Sequence, residues 1–418
     1  MKKFISLSGT LVLALIGLLL LKSCVKDSGK VTYSIYTPVI HTTADVRASI
    51  KSDIAQPIEN PGKIYIKGNT IFLAEKEKGI HIIDNSNPSN PINKAFIFIP
   101  GNEDMAINGN ILYADCYTDL LAIDITNINN VTLKNYVANM YPERRYVSGH
   151  YIDSGKVATD WIKRDTTVAA NIVVPSYWYT GGVLLQSASS YASAASSSNG
   201  TGGSMSKIAI IQDRLYTVST ENLQTLNIAN TAAPTYLTKN NLHLGIGSAE
   251  TIYPFQDKLF IGSSSGMYIF SIANPDAPTL LKTFTHASAC DPVIADGTNA
   301  FITLHSGTTC GGVKNELEVV DVTNVLNPTL VTTYTMTKPY GLAKDNNTLI
   351  ICDDVLKFYD ATNVSNLQLK KSVTMSAPYD VICINGTAIV TAKDGLYQFD
   401  YSNINNITLI SVLYTGKI

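Results

Sequence analysis

From residue 61 onward, short apolar runs alternate with polar turns in a four-beat rhythm. The first unit runs through residues 63–67, the turn Gly68-Asn69, 70–74, a loop at 75–78, 80–84, an Asn/Pro-rich turn and 92–99. The runs are rich in Val, Ile, Thr and Tyr and are separated by Gly, Asn, Asp and Pro. That alternation predicts four antiparallel strands joined by tight turns. The stretch GIHIIDNSNPSNP at 79–91 is the most regular part of the unit, and similar stretches follow it six times. They read LLAIDITNINNV (120–131), LQTLNIANTAAP (223–234), MYIFSIANPDAP (267–278), LEVVDVTNVLNP (317–328), LKFYDATNVSNL (356–367) and LYQFDYSNINNI (396–407).

Stacked, the stretches place Asp84, Asp124, Asn227, Ser271, Asp321, Asp360 and Asp400 in one column. Asn87, Asn127, Asn230, Asn274, Asn324, Asn363 and Asn403 form a second column. The first column advances by 40, 103, 44, 50, 39 and 40 residues, so the period is near 40 with one long insertion. A period of that length with four strands per unit predicts a β-propeller blade. A blade is apolar on both faces and cannot bury either alone, so neighbours must stack and the ring must close. The expected fold is therefore all-β, a seven-bladed propeller of four-stranded antiparallel blades over residues 59–418. The shorter rungs of an open solenoid fit this period less well.

Both columns have a reason that needs no ligand. An Asp closing the third strand accepts backbone N–H groups in the next turn, and the Asn closes an Asx-turn. His81 is the one histidine in its column and stands among turn-making residues.

The runs Ile80-His81-Ile82-Ile83-Asp84, Leu120-Leu121-Ala122-Ile123-Asp124 and Leu317-Glu318-Val319-Val320-Asp321, each with an Asn three residues after its closing Asp, resemble the LVIVD repeat family of bacterial and archaeal envelope proteins. The resemblance covers roughly residues 59–140 and 207–418. It implies a propeller and an extracytoplasmic location, and the family pattern supplies no catalytic motif.

The N-terminus points the same way. Met1-Lys2-Lys3 followed by an apolar stretch from Leu7 to Leu21 predicts an export signal over residues 1–23. Leu21-Lys22-Ser23-Cys24 resembles a lipobox, which makes Cys24 the expected lipidation site and the outer membrane the expected location, on its periplasmic side or at the cell surface. An ordinary secreted protein with an incidental Cys is the alternative. Residues 24–58 read as a lipid-anchored tether. They also offer a candidate strand, within 32–50, for closing the ring; otherwise side-chain packing must hold the seam.

A formal net charge of −2, with 15% charged residues, carries no polyanion-binding signature, so nucleic acid is not an expected partner. No nucleophile elbow, zinc-protease motif, P-loop or dinucleotide fingerprint stands in a fitting context, and no cofactor is expected.

Candidate chemistry falls where the repeats disagree. The insertion at about 141–206 holds both tryptophans. Arg144, Arg145, His150, Trp161, Trp178 and Tyr179 are its candidate ligand-binding residues, since Trp, Tyr and Arg commonly anchor contacts. Packing of its aromatic residues on blades two and three is the competing reading. Strands are expected at 156–161 and 171–174, and the Ser/Ala/Gly-rich stretch 187–206 reads as a mobile segment.

Asp104, Glu250, Asp291 and Asp380 precede or begin first strands, which places them at the mouth of the central channel. They are candidates for a cation or for carboxylate catalysis, against a role in satisfying local backbone N–H groups. Cys290 and Cys310 form a candidate disulfide in an oxidising envelope. Zinc held by these two with His286 and His305, or an unrelated placement, stays open, and any metal remains unassigned. Cys116, Cys352 and Cys383 read as small core residues.

The expected function is a non-enzymatic binding module of the envelope, meeting the membrane through its lipid and a protein or glycan through its insertion-bearing face. The alternative is a polysaccharide hydrolase or lyase that uses the channel-mouth carboxylates.

Overall fold

The computed structural model describes residues 30–169, 201–242, 248–286, 292–306 and 314–416. They divide between two compact units, the larger spanning Ile40–Thr159 and Leu185–Ile418 and the smaller drawn from Met1–Val39 and Asp160–Leu184.

The larger unit holds seven antiparallel blades, at 61–98, 105–137, 208–241, 249–285, 293–335, 342–373 and 378–414. Four consecutive strands pair in sequence order in every blade. The first strands are Pro61–Lys67, Met105–Asn108, Ile208–Ile211, Ala249–Phe255, Val293–Ala295, Leu342–Asp345 and Pro378–Ile384. Each of them touches the next, and the last touches the first, so they form a closed ring around the axis. Successive side chains of a strand point to opposite faces. Ile64, Tyr65 and Ile66 are nevertheless all buried, because neighbouring blades cover both faces.

The Asp/Asn columns form the expected turns. Asp84, Asp124, Asp321, Asp360 and Asp400 each accept the N–H two residues on, at 2.8–3.0 Å. Asn227 and Ser271 do the same at 2.8 and 3.2 Å. The Asn column repeats the pattern, as where Asn324 Oδ1 accepts from Leu326 N at 3.1 Å. Gly79, at φ 149°, begins the third strand of blade one, where a Cβ would lie 2.1 Å from the Ile97 carbonyl oxygen.

The described part of the expected tether clasps blades one and two. Helix Thr43–Ala48 is capped by Thr42 and buries Val46, and strand Lys51–Ile54 pairs antiparallel with Ile92–Phe98 at the outer edge of blade one. Ser52 Oγ accepts from Val131 N at 2.9 Å, while Arg47 pairs with Asp119 and lies 3.8 Å from the Tyr136 ring centroid. No strand from this segment enters blade seven, whose own Thr408–Tyr414 fills the fourth place. Side chains close the seam instead. Ile58, just ahead of blade one, and Ile64 and Ile71 of blade one pack with Ile382, Ile389 and Leu396 of blade seven. Asn85 and Gln398 exchange side-chain hydrogen bonds at 3.0 and 2.7 Å across the same seam.

The smaller unit contains the outer parts of strands Lys30–Thr42 and Lys156–Ala169, which pair with each other. Within it Thr32 and Thr167 hydroxyls meet at 2.8 Å, and Ser34 donates to Asp165 at 2.6 Å. The strand expected at 156–161 thus runs on to Ala169, with its partner outside the insertion. The strand expected at 171–174 lies outside the described residues.

Candidate functional site

Two places gather the candidate residues of the larger unit: the start of the insertion and the axis of the ring. The insertion starts with Met140 and Tyr141, both buried, and Tyr141 Oη lies 3.0 Å from Thr217 Oγ1 of blade three. A 3-10 turn, Pro142–Arg145, follows, with proline in the position where its missing N–H costs nothing. Arg144 turns inward to Asp115 at 2.7 Å and Glu103 at 3.3 Å, and its guanidinium carbon lies 4.7 Å from the Tyr141 ring centroid. Burial opposes the charge on Arg144, but the two carboxylates outweigh it and hold the group above its ordinary range. Burial pushes Asp115 up despite the arginine. Arg144 therefore anchors the insertion to blade two.

Arg145 donates Nε to the Ile152 carbonyl at 2.9 Å and lies 4.7 Å from the Tyr151 ring centroid. Between these residues Tyr146–Val147 pairs with His150–Tyr151 in a small hairpin. Its two-residue turn has Ser148 at φ 48° and Gly149 at φ 81°, the left-handed pair that fits the twist of a hairpin. Tyr146 and Tyr151 are direct cross-strand partners, so both side chains leave the same face of the hairpin. They are 66% and 68% exposed. His150 is exposed beside them, with Nδ1 3.0 Å from the Ser148 carbonyl oxygen. Trp161 lies half-buried in the smaller unit, and Trp178 and Tyr179 fall outside the described residues.

At the axis, residues 202–206 at the end of the insertion are buried, which corrects the mobile reading for that part; the rest of the stretch, 187–200, lies outside the described residues. Thr201–Gly202 pairs with Tyr65 and Ile66 on the inner edge of blade one. Ser204 and Met205 are fully buried. Ser204 Oγ donates to Asp380 of blade seven at 2.8 Å and accepts from Leu342 N of blade six at 2.8 Å. Ser206 Oγ donates to Asp104 beside blade two at 3.1 Å, and its carbonyl accepts from Ile252 N of blade four at 3.0 Å. One short stretch thus reaches the first strands of blades one, four, six and seven and Asp104 just ahead of blade two, and it forms a stopper across the axis. Close packing explains its glycine: a Cβ on Gly203 would lie 1.9 Å from Asp380 Oδ2.

The expected channel-mouth acids sit against this stopper. Asp104 pairs with Lys63 at 2.8 Å, and both are buried. Burial lowers Lys63 to about 8 even though Asp104 pulls it upward. Asp380 is raised to about 8 by burial, against the opposing hydrogen bonds from Ser204 and Val381 N. Glu250 is buried at the start of blade four and accepts from Ser248 Oγ at 3.1 Å.

Cys24, Cys290, Asp291 and Cys310 lie outside the described residues. His305 is buried with its ring 4.5 Å from that of Tyr340. Among the described residues no group of three or more His, Cys, Asp and Glu could hold a metal ion. Cys116 and Cys352 are buried free thiols, and Cys383 is a half-buried one.

Sequence reading passed over Tyr146 and the stopper. Tyr146 was one tyrosine among 23, though Ser148-Gly149 was a legible hairpin turn next to it. The stopper's only local signal was Met205, a lone apolar residue in a Gly/Ser tract.

The comparisons agree with this architecture. The LVIVD repeat model matches residues 61–96 and 310–336. The protein is a seven-bladed β-propeller in which these two stretches match the LVIVD repeat. No curated protein matches its sequence. Among solved structures it is similar to the computationally designed Ika8 protein, with TM-score 0.52 and 10% identity over 86% of this chain and 89% of that one. It is also similar to BamB from Moraxella catarrhalis, with TM-score 0.50 and 9% identity over 87% and 99% of the two chains. The periplasmic gluconolactonase PpgL of Pseudomonas aeruginosa matches with TM-score 0.53 and 10% identity over 88% and 97%. At these identities the likeness is one of fold.

Proposed function

We propose that the protein is a non-enzymatic binding module of the bacterial cell envelope, anchored in the outer membrane by lipid on Cys24, that captures a protein or glycan through the start of its insertion. The observation carrying this reading is the exposed pair Tyr146 and Tyr151, side by side on a turn-locked hairpin, with Arg145 and His150 beside them. Exposed aromatic rings on a short, ordered hairpin lose little conformational entropy on contact, and Tyr and Arg are enriched where binding energy concentrates. The location is supported by the N-terminal charge and apolar pattern before Cys24 and by the repeat resemblance.

The enzymatic alternative, a polysaccharide hydrolase or lyase, would draw on the axial carboxylates. Asp104 is committed to Lys63, and Asp380 is buried beneath Ser204, an arrangement that favours the binding reading over catalysis in an open cleft.

The test compares wild type with Tyr146→Ser/Tyr151→Ser. Both are probed on an arrayed glycan panel and used to capture partners from protease-treated and untreated envelope extracts. Loss of a ligand that wild type retains supports the reading, and the protease arm tells protein from glycan. Identical ligand sets overturn the assignment of this face. Separately, Cys24→Ala should release the protein from the membrane fraction and abolish labelling by a fatty-acid analogue; unchanged fractionation and labelling would reject the anchor.

A further inference from the structure

Asp380 is fully buried, and its two oxygens are treated unequally. Oδ1 receives the Ser204 hydroxyl at 2.8 Å and the Val381 N–H at 2.9 Å. Oδ2 has no hydrogen-bond partner among the described residues and faces Gly203. The titratable or charged groups acting on this carboxyl come from several elements. Lys63 stands on blade one, Asp104 lies ahead of blade two, and Cys352 ends the second strand of blade six. Glu103 and Lys207 act in turn on Lys63, and residues 201–206 themselves hold no titratable side chain. Lys63 is already paired with Asp104. An ionised Asp380 would therefore keep one oxygen dry and unpaired with a second carboxylate nearby, an arrangement that strongly favours the neutral acid.

Relief for the ionised carboxylate has a direct route, because what covers it is the stopper. Gly203 and Ser204 lie against Asp380, and their departure would admit water to both oxygens. We propose that residues 201–206 are a proton-latched stopper of the propeller axis, seated while Asp380 carries its proton and released when that carboxyl ionises.

The raised proton affinity of Asp380, about 8 in the seated form, agrees with this geometry. A released, hydrated aspartate returns to roughly 4. Release is then coupled to the loss of one proton between those values. The released fraction grows about tenfold per pH unit across that window and levels off above the seated value.

Amide hydrogen exchange of the full chain, followed by mass spectrometry of the peptide covering residues 201–207, reads this directly. After correction for intrinsic exchange, wild-type protection should fall about tenfold per unit from pH 5 to 7.5 and flatten above about 8. Strand Arg214–Ser219 serves as the reference and should show no comparable loss. Asp380→Asn should flatten the dependence of 201–207. Equal pH dependence in wild type and variant, or protection unchanged from pH 5 to 8.5, overturns the latch. Should the variant fail to fold, a wild-type carboxyl titration by isotope-edited infrared spectroscopy decides the matter. An Asp380 ionisation that tracks the loss of protection supports the latch, and one that leaves protection unchanged overturns it.

Discussion

Arg144 and Asp115 meet 2.7 Å apart inside blade two, joining the first residues of a long insertion to the end of a second strand. Asp115 Oδ1 also accepts the N–H groups of Glu103 and Asp104 at 2.7 and 2.9 Å and the Asn102 amide at 2.7 Å. The arginine therefore neutralises a carboxylate already fixed by the backbone. Arg144→Ala leaves that carboxylate buried without a cation, and a loss of roughly 3–5 kcal/mol is expected in denaturant unfolding. Arg144→Met with Asp115→Asn should recover part of it. A loss below about 1 kcal/mol for the single variant would remove the anchoring role.

The seam offers a second test. Ile58 is fully buried where blade one meets blade seven, and its carbonyl accepts from Gly416 N at 2.7 Å. Ile58→Ala should cost about 2–5 kcal/mol through lost burial and the cavity left behind. Starting the chain at residue 59 also removes Val46, the Arg47–Asp119 pair and strand Lys51–Ile54, so its melting temperature should fall further than that of Ile58→Ala. A truncated protein as stable as the full chain would contradict the clasp on blades one and two.

Stability should also depend on pH in a defined direction. Asp380 binds its proton more tightly folded than unfolded, so its contribution is fully present below about 4 and is lost as pH rises toward about 8, at roughly 1.4 kcal/mol per pH unit. Lys63 acts with the opposite sign at higher pH: its folded value of about 8 lies below its unfolded one, so stability recovers as pH rises beyond it. Denaturant midpoints at pH 5 and 7.5 should separate more in wild type than in Asp380→Asn. Equal separation would remove Asp380 as the source.

The ring was legible in the chain because its determinants are local and repeated. Asp321, Thr323, Asn324 and Leu326 make their turn with one another, so spacing alone reveals it. The contacts that build the axis are of another kind. Ser204 meets Asp380 across 176 residues, and nothing near either one in sequence signals the other. Arg144 looked like a ligand-binding residue because an arginine in an insertion has the same local appearance whether it faces solvent or a buried Asp115. The segment before residue 59 misled for a related reason: Val46 is a single apolar residue in a polar helix, too little periodicity to predict its burial between two blades.

On the proposed reading, the exposed pair Tyr146 and Tyr151 is the capturing surface of a binding module. Its most direct test is the affinity of the captured ligand for wild type and for Tyr146→Ser/Tyr151→Ser, measured by calorimetry with melting temperatures matched. The variant should bind with at least a tenfold weaker Kd, about 1.4 kcal/mol, with the fold unchanged. An unchanged Kd would contradict it.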